Sequence, residues 1–359
     1  MTKPADGQAQ GQDVAPLLER GAAGNQAGDF DGAAAEYERA LAMAPDNSDA
    51  AFGLAAALRA LGDYGEAEGW YERALTMDPE PAEPYWELGY TREMLGDRRG
   101  AAAAYRECLA RDASHGVARH LLDALMGTTR SAAPDAYSVA LFGDYAEDFE
   151  RSMLEDLHYS VPGAMARKLS GICAPIASAP NRPDEPYFPR ALDLGAGTGL
   201  TGAAIGEFAR DLHAVDLSPE MLELAKARGV YSRTFVAGMS EFLAQPPAGA
   251  HQKYDLIVSG DALVYLGDLA PVFTGAQGCL NAGGWFLFTV ETARQGDFAL
   301  QSTGRFAHGA GYLRTLAAAN RFAPGSLDPI TPRRDGSHDI QGLLGAFQII
   351  KGAILDNYL

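Results

Sequence analysis

A glycine-rich stretch beside an acidic residue offers the most specific chemistry in the sequence. Asp193 is followed by Gly195, Gly197 and Gly199, which gives the pattern D-x-G-x-G-x-G. Glycines let a backbone turn sharply and approach a ligand where a Cβ would collide. The helix expected after this loop presents free N–H groups and a partial positive charge. The stretch is therefore a candidate site for a ligand that bears a carboxylate or phosphate.

The elements needed to position such a loop are predicted on both sides of it. Residues 187–194 are predicted to form a buried strand, and residues 201–209 a helix. A strand, a glycine turn and a helix open a nucleotide-binding βα unit. A dinucleotide fingerprint requires its third glycine one residue later, where this chain has Leu200. The spacing therefore disfavours a nicotinamide dinucleotide.

A second acidic residue, Asp216, ends the next predicted strand. Its carboxylate offers two acceptors to the vicinal hydroxyls of a ribose. Ser218 is predicted to cap the helix that follows, and Pro219 suits its first turn. This helix is expected to turn Met221 back toward the same ligand.

These motifs resemble those of the class I methyltransferases that use S-adenosylmethionine (SAM). In that family the glycine loop lies against the methionine part of SAM, and a D-x-S-x-x-M segment such as 216–221 flanks the adenine. Three later landmarks follow in the family's order, at residues 238–240, 259–265 and 280–288. The cofactor-binding residues that the resemblance implies are Asp193, Gly195, Gly197, Gly199, Asp216, Leu217, Met221, Met239, Ser240, Asp261 and Tyr145.

A different pattern, with a period of 34 residues, precedes these motifs. A Gly-Asp pair recurs three times, and an alanine and a tyrosine recur at the same interval. This resembles the tetratricopeptide repeat (TPR), whose helix pairs stack because none buries its apolar face alone. On the face that lines the groove of such arrays lie Phe52, Trp86 and Tyr90. These aromatic residues either bind a protein partner, complete the repeat core or pack against the catalytic domain.

The expected architecture is a seven-stranded, Rossmann-like α/β methyltransferase domain preceded by an all-α TPR solenoid. In this fold the last strand lies antiparallel beside the fifth. The resemblance is to bacterial TPR-containing methyltransferases and covers nearly all of the chain. The predicted divisions are a disordered N-terminus (1–13), three repeats with a capping helix (14–127), a linker (128–135) and the methyltransferase domain with an N-terminal lid helix (136–359).

The lid is expected from an aromatic stripe. Phe142, Tyr145 and Phe149 are spaced i, i+3 and i+7, which places them on one face of a helix. The segment resembles the F-D-x-Y-A-x-x-F-D stretch of small-molecule methyltransferases, although Gly143 replaces the usual aspartate. The stripe either covers SAM and the substrate and excludes water, or is ordinary helix packing.

Methyl transfer is an in-line displacement, so the protein must position the nucleophile and, for oxygen or nitrogen attack, remove a proton. The segment 259–265 has neither the N/D-P-P-Y/F motif of amide or adenine N-methylation nor the metal triad of catechol-type enzymes. Its polar groups are Asp261 and Tyr265. Asp261 either accepts a proton or orients the amino group of SAM, and we favour the second role.

The strongest candidate for a general base is His308, because an imidazole titrates near neutral pH. It belongs to a stretch resembling the R-[FY]-x-H-x-x-x-Y of TPR-fused methyltransferases, with Arg305 and Tyr312. We expect this stretch to line the substrate pocket, with Arg305 as a candidate for binding a substrate carboxylate. Alternatively, His308 positions the helix that follows. The other histidines are interpreted as structural or exposed.

The formal net charge of −18 argues against a nucleic-acid substrate, which requires a basic face. No apolar run reaches the length of about 18 residues typical of a membrane helix, and the N-terminus has no apolar signal core. The three cysteines are far apart in the sequence, which predicts neither a disulfide frame nor a metal site and favours the cytoplasm.

Three functions remain open at this point. The chain methylates an oxygen, nitrogen or sulfur nucleophile of a small molecule, which we favour. Alternatively, it methylates a protein held by the repeats, or it binds SAM without catalysis as a regulatory scaffold.

Overall fold

The computed structural model describes residues 14–135, 137, 153, 157–177, 187–335 and 338–350. The chain divides into two compact units, one ending at Leu125 and the other beginning at Met126. The predicted lid residues Phe142, Tyr145 and Phe149 lie outside the described residues, and so does the predicted disordered N-terminus.

The first unit consists of paired antiparallel helices, which confirms the repeats. Its helices are α1 (Ala15–Ala27), α2 (Phe30–Met43), α3 (Ser48–Leu61), α4 (Tyr64–Met77), α5 (Glu83–Met94), α6 (Arg98–Arg111) and α7 (Gly116–Met126). Each Gly-Asp pair joins two helices. The glycines end one helix with left-handed φ angles of 76°, 87° and 80°, and Asp29 and Asp97 cap the next by accepting N–H bonds.

The repeated tyrosines explain the repeated small residues. A Cβ on Gly21 would lie 2.7 Å from the ring of Tyr37, and a Cβ on Gly53 would lie 2.3 Å from it. Gly89 lies against the ring of Tyr105 in the same way. Since only glycine fits beneath these rings, the helices can pack closely around them.

The second unit is an α/β layered domain. Its helices are α8 (Val161–Ala177), α9 (Leu200–Ile205), α10 (Pro219–Ala227), α11 (Met239–Ala244), α12 (Ala270–Cys279) and α13 (Ala310–Ala319). Its strands are β1 (Phe188–Leu194), β2 (Ala209–Asp216), β3 (Arg233–Val236), β4 (Tyr254–Ser259), β5 (Leu280–Thr292), β6 (Phe298–Leu300), β7 (Phe306–His308), β8 (Ser326–Ile330), β9 (Arg334–Asp335), β10 (His338–Asp339) and β11 (Gly342–Gln348).

Seven of these strands form one continuous path in the order β3-β2-β1-β4-β5-β11-β8, with the short pair β6 and β7 beside β5. Strands β1 to β5 pair in parallel, and β11 is antiparallel to both β5 and β8. The seven-strand path, with its last strand antiparallel beside the fifth, is as predicted, and the β6–β7 pair brings the whole sheet to nine strands.

Two apolar cores cover the two faces of this sheet. Ile257 and Phe286 belong to the core that includes α12 and α13, whereas Leu256 and Leu287 belong to the core that includes α8. This alternation follows from the two-residue period of a strand. Because both faces are covered, ligand access is left to the strand ends, and parallel α/β sheets bind ligands beyond their carboxyl ends.

Within the described part of the chain, no helix combines the length and apolarity needed to span a membrane.

Candidate active site

A cavity of about 360 Å³ lies beyond the carboxyl ends of β1, β2 and β4. Its lining combines the glycine loop, the segment after β2, the start of α11 and the segment after β4. Among the predicted site residues, those that line it are Gly195, Gly197, Asp216, Leu217, Met221, Met239, Ser240, Asp261, Tyr265 and Arg305. The volume falls within the range of about 300–1,000 Å³ of small-molecule pockets.

The three loop glycines have left-handed φ angles of 77°, 53° and 84°, but they serve different purposes. A Cβ on Gly195 would come within 2.3 Å of the Cβ of Ala262, so this glycine lets two loops touch. A Cβ on Gly199 would lie 3.1 Å from the backbone of Ala225, and Gly199 is outside the lining. A Cβ on Gly197 would meet no protein atom within 4 Å. Gly197 therefore keeps free a space that a ligand can fill.

Asp216 joins the glycine loop to the segment after β2. One carboxylate oxygen accepts the N–H of Gly197 at 2.8 Å, and the other accepts the N–H of Ser218 at 3.0 Å. Burial raises the pKa of this carboxyl, and the two N–H donors oppose that shift. Because each oxygen keeps a further lone pair, the carboxylate can also accept two ribose hydroxyls.

Asp193 lies outside the cavity lining, against the expectation that it contacts the cofactor. Its side chain is fully buried, and one oxygen accepts the hydroxyl of Tyr231 at 2.7 Å. Burial raises its pKa to about 7. In this position Asp193 supports the glycine loop without lining the cavity.

The remaining lining fits the adenosyl and methionine parts of SAM. The side chain of Met221 is buried at the cavity wall, and Leu217, Met239 and Ser240 continue that wall. Apolar side chains suit an adenine ring, the Asp216 carboxylate suits its ribose, and the open side of Gly197 suits a close backbone approach. The residues present therefore fit this cofactor.

Asp261 forms a buried ion pair that the sequence did not indicate. Nη1 of Arg333 lies 2.8 and 2.6 Å from the two oxygens of Asp261, and Nη2 binds Glu291. The side chains of Asp261 and Arg333 are 8% and 3% exposed. The Asp261 backbone has a φ of 57°, and its N–H donates to the hydroxyl of Thr289. Asp261 is thus held at the cavity wall with its carboxylate already paired.

Arg333 is itself positioned by a turn that is bonded to the segment before α8. The N–H of Ser160 donates to the carbonyl of Pro332 at 2.9 Å, and its hydroxyl donates to that of Thr331 at 2.6 Å. Arginine is ordinarily a surface residue, so the sequence held no signal that this one would be buried beneath the site.

Three further lining residues are Arg305, Tyr265 and Tyr159. The guanidinium of Arg305 lies 6.0 Å from the ring centre of Tyr265. Burial raises the pKa of Tyr265, although the nearby guanidinium opposes this. The hydroxyl of Tyr159 donates to the carbonyl of Gly260 at 3.4 Å. These three residues contribute a guanidinium and two aromatic hydroxyls to the lining.

His308 lies outside the lining, and its geometry does not support the expected role as a general base. The side chain is fully buried, and Nε2 lies 2.8 and 3.1 Å from the carbonyls of Leu266 and Gly267. Since carbonyls only accept, Nε2 carries the proton and donates it to them. Burial lowers the pKa of His308 to about 4. A neutral imidazole that donates to the backbone secures the loop after β4.

Tyr312 contacts the same loop and also lies outside the lining. Its hydroxyl donates to Asp268 at 2.8 Å and accepts the N–H of Leu269 at 2.9 Å. Its ring is nearly parallel to that of His308, with ring centres 6.4 Å apart. The two residues expected to face the substrate instead support the segment that carries Tyr265.

The predicted linker, residues 128–135, takes part in the site. The carbonyl of Ser131 accepts the N–H groups of Gly267 and Asp268 at 2.9 and 2.7 Å. Small, polar linker residues carry no signal for such pairing, so sequence reasoning missed it. The linker residues that line the cavity are Ala132, Ala133 and Asp135.

In the repeat unit, the predicted aromatic trio is half-buried. Phe52 packs against the repeat core, 5.9 Å from the ring of Tyr71, whereas Trp86 and Tyr90 contact each other with centres 6.4 Å apart. Arg59 forms an ion pair with Glu87 at 2.9 Å beside them. That the trio binds a partner stays a prediction.

Comparison with known proteins identifies both parts of the chain. Residues 192–286 match the model of a methyltransferase domain, and residues 26–82 match that of a tetratricopeptide repeat. Over 118 residues the chain is 29% identical to the ubiquinone biosynthesis O-methyltransferase of Bordetella avium, covering 32% of this chain and 48% of that protein. Over 84 residues it is 34% identical to the magnesium-protoporphyrin O-methyltransferase of Rhodobacter capsulatus, covering 23% and 36%.

The matched region is thus less than half the length of these curated relatives. Among solved structures, the chain resembles a 1,6-didemethyltoxoflavin-N1-methyltransferase of Burkholderia thailandensis, which contains S-adenosylhomocysteine and 1,6-didemethyltoxoflavin. The TM-score is 0.45 and the identity 19%, over 62% of this chain and 92% of that one. The family models show that the chain joins tetratricopeptide repeats to a methyltransferase domain.

Proposed function

We propose that this chain transfers a methyl group from SAM to a small molecule, and that the acceptor carries an anionic group. The observation that carries the proposal is the composition of one cavity. Its lining combines the glycine loop and Asp216 with Arg305, Tyr265 and Tyr159. The residues proposed to hold the cofactor and Arg305 therefore line the same cavity.

The cofactor side needs little rearrangement to bind. Asp216 is already fixed by two backbone N–H groups, at 2.8 and 3.0 Å, so the carboxylate does not have to be ordered when a ribose arrives. Gly197 leaves open the space next to it. Preorganisation of this kind reduces the entropy lost on binding.

In the part of the lining that contains Arg305, two guanidinium groups accompany two buried carboxylates. Arg333 binds both Asp261 and Glu291, which leaves one of the two negative charges for the nearby Arg305 to balance. Arg305 adds a guanidinium to the lining. A guanidinium binds a carboxylate or phosphate through paired hydrogen bonds, which favours an acceptor with such a group.

SAM supplies an electrophilic methyl group on its sulfonium when it is bound. Bound SAM would offer this methyl group to a lone pair of the acceptor, and the carbon–sulfur electron pair would remain on sulfur. The protein would contribute orientation: Asp216 and the glycine loop would hold the cofactor, and Arg305 would hold the acceptor. The described lining contains no imidazole, and an anionic nucleophile such as a carboxylate requires no base.

The test is turnover of labelled SAM by the full chain with a panel of small acceptors, each paired with an analogue that lacks the anionic group. We expect formation of S-adenosylhomocysteine with anionic acceptors and loss of activity with their neutral analogues. Arg305→Met should raise the acceptor KM at least tenfold, because one charged hydrogen bond contributes about 1.5–3 kcal/mol. Arg305→Lys should recover part of that loss.

A matched variant separates the small-molecule function from methylation of a protein. Trp86→Ala combined with Tyr90→Ala changes the repeat surface and leaves the cavity residues intact. Unchanged turnover of small acceptors in this double variant supports the proposal. Labelling of proteins alone, abolished by the same double variant, would contradict it.

A further inference from the structure

A second cluster of polar side chains lies away from the cavity. Asp211 and His213 are two residues apart on β2, so their side chains share one face of the strand. His251 belongs to the segment 245–253 that precedes β4. The cavity lies beyond Asp216, at the carboxyl end of β2, whereas Asp211 is near the amino end.

The three side chains lie close together, and because the two imidazoles are stacked, one ring has to rotate for both to bind a single ion. Nε2 of His251 lies 2.6 Å from one oxygen of Asp211, and Nε2 of His213 lies 3.6 Å from the other. The two imidazoles are nearly parallel, with ring centres 4.4 Å apart and 6° between their planes. One nitrogen or oxygen of each residue lies within 4.8 Å of those of the other two.

Neighbouring hydroxyls fix the orientation of two of these groups. The hydroxyl of Tyr254 lies 3.0 Å from Nδ1 of His213. With the proton on Nδ1, donated to that hydroxyl, Nε2 presents its lone pair toward Asp211. The hydroxyl of Ser232 donates to Asp211. Such outer contacts to the second ring nitrogen and to the carboxylate are typical of metal ligands.

We propose that Asp211, His213 and His251 bind a divalent transition-metal ion of the zinc class. Two imidazole nitrogens and one carboxylate oxygen suit zinc and its borderline neighbours, whereas magnesium and calcium prefer oxygen ligands. Three protein ligands leave one tetrahedral position for water.

The exposure of the cluster provides an entry path for the ion. His213 is 2% exposed, whereas the side chains of His251 and Asp211 are 28% and 33% exposed. A bound ion would join β2 to the segment 245–253. The cluster shares no residue with the cavity lining, so this proposal is independent of the methyl-transfer proposal.

The test is calorimetric titration of the full, chelator-treated chain with ZnCl₂, with MgCl₂ as a second titrant. We expect one zinc per chain, no magnesium binding at the same concentrations, and a rise in Tm with zinc. His251→Gln should weaken zinc binding at least tenfold. Asp211→Asn, which keeps the shape and one oxygen of the carboxylate, should also weaken it and serves if the histidine variant does not fold.

The control is His115→Gln, because His115 also lies near a carboxylate, 3.5 Å from Glu83. Its zinc affinity should equal that of the unmodified chain. Binding of S-adenosylhomocysteine should be the same with zinc and after chelation, which separates this site from the cavity. The proposal is overturned if the unmodified chain takes up no zinc, or if His251→Gln and Asp211→Asn bind it as tightly as the control.

Discussion

Arg333 binds both carboxylate oxygens of Asp261, at 2.8 and 2.6 Å, from a turn that is 72 residues further along the chain. The pair lies beneath the cavity and includes Glu291 through the second guanidinium nitrogen. A buried carboxylate that loses its partner costs more than the pair itself contributes. The stability of the site therefore depends on this arginine.

Arg333→Met should lower the free energy of unfolding by about 3–5 kcal/mol at pH 7. Two buried carboxylates would then lose the guanidinium that binds them directly, and only Arg305 would remain near them. Denaturant unfolding measures the change. The matched control is Arg334→Met, because Arg334 is half exposed and pairs with a half-exposed Asp339. Exposed pairs contribute at most about 1 kcal/mol, so an equal loss in both variants would contradict the importance of the buried pair.

The loss in Arg333→Met should shrink as the pH falls. Burial already raises the pKa of Glu291 and Arg333 opposes this, so removing the arginine raises that pKa further. A carboxyl with a raised folded pKa is penalised in full above that pKa, and the penalty disappears below its unfolded value of about 4.3. Unfolding of both proteins at several pH values checks the trend. A difference that grows toward low pH would contradict it.

Asp216→Ala should weaken binding of S-adenosylhomocysteine by about 2–3 kcal/mol, or about 30- to 150-fold. The variant removes both acceptors proposed for the ribose and also frees the N–H of Gly197. Calorimetric titration measures the affinity. Glu223→Ala, on the exposed side of α10, should bind as the unmodified chain does. Unchanged affinity in a folded Asp216→Ala protein would show that the ribose lies elsewhere.

Gly197→Val should abolish cofactor binding while the repeat helices stay folded. The side chain would enter the cavity from a backbone with a φ of 53°. Gly229→Val is the control that separates backbone strain from occupation of the cavity. Gly229 also has a positive φ, of 69°, and open space around it, but it lies outside the cavity lining. We expect similar loss of stability in both variants and loss of binding in Gly197→Val alone. Equal affinities would exclude the glycine loop from the cofactor site.

His308→Gln should keep kcat within about threefold of the unmodified chain, because the amide N–H can replace the Nε2 donor to Leu266. A general base would instead raise kcat by about 10²–10⁴-fold. A decrease in kcat of that size in His308→Gln would therefore show that His308 acts in catalysis. The folded pKa of about 4 lies below the ordinary 6.5. Its contribution to stability is therefore full above pH 6.5 and is lost as the pH falls toward 4. His308→Gln should remove that pH dependence from the unfolding curve.

The parts that local pattern specifies could be predicted from the sequence. The period of 34 residues predicted the repeats, because each Gly-Asp turn needs a left-handed residue and each repeated tyrosine packs against small residues. The glycine loop and Asp216 were recognisable because a strand, a turn and a helix that hold a nucleotide are contiguous in the chain.

The parts of the site that depend on long-range packing could not be predicted from the sequence. Three parts of the site come from outside the motifs, namely Arg333, Tyr159 and the segment 128–135. Nothing in their local sequence distinguishes them from surface residues. His308 shows that residue type alone does not establish the role of a side chain. Its residue type suggested a base, but the direction of its ring is set by the carbonyls of Leu266 and Gly267, and residue type carries no information about direction.

The order in which the ribosome makes these residues has a consequence for newly synthesised chains. Asp261 and Glu291 precede Arg333 by 72 and 42 residues, and β11 lies between β5 and β8, both made before it. At about 5–20 residues per second, Asp261 exists for about 4–14 s before its cation is made. During translation the cavity wall therefore holds unpaired carboxylates beside an open strand edge, and the methyltransferase unit completes its sheet only after residue 348 has left the ribosome.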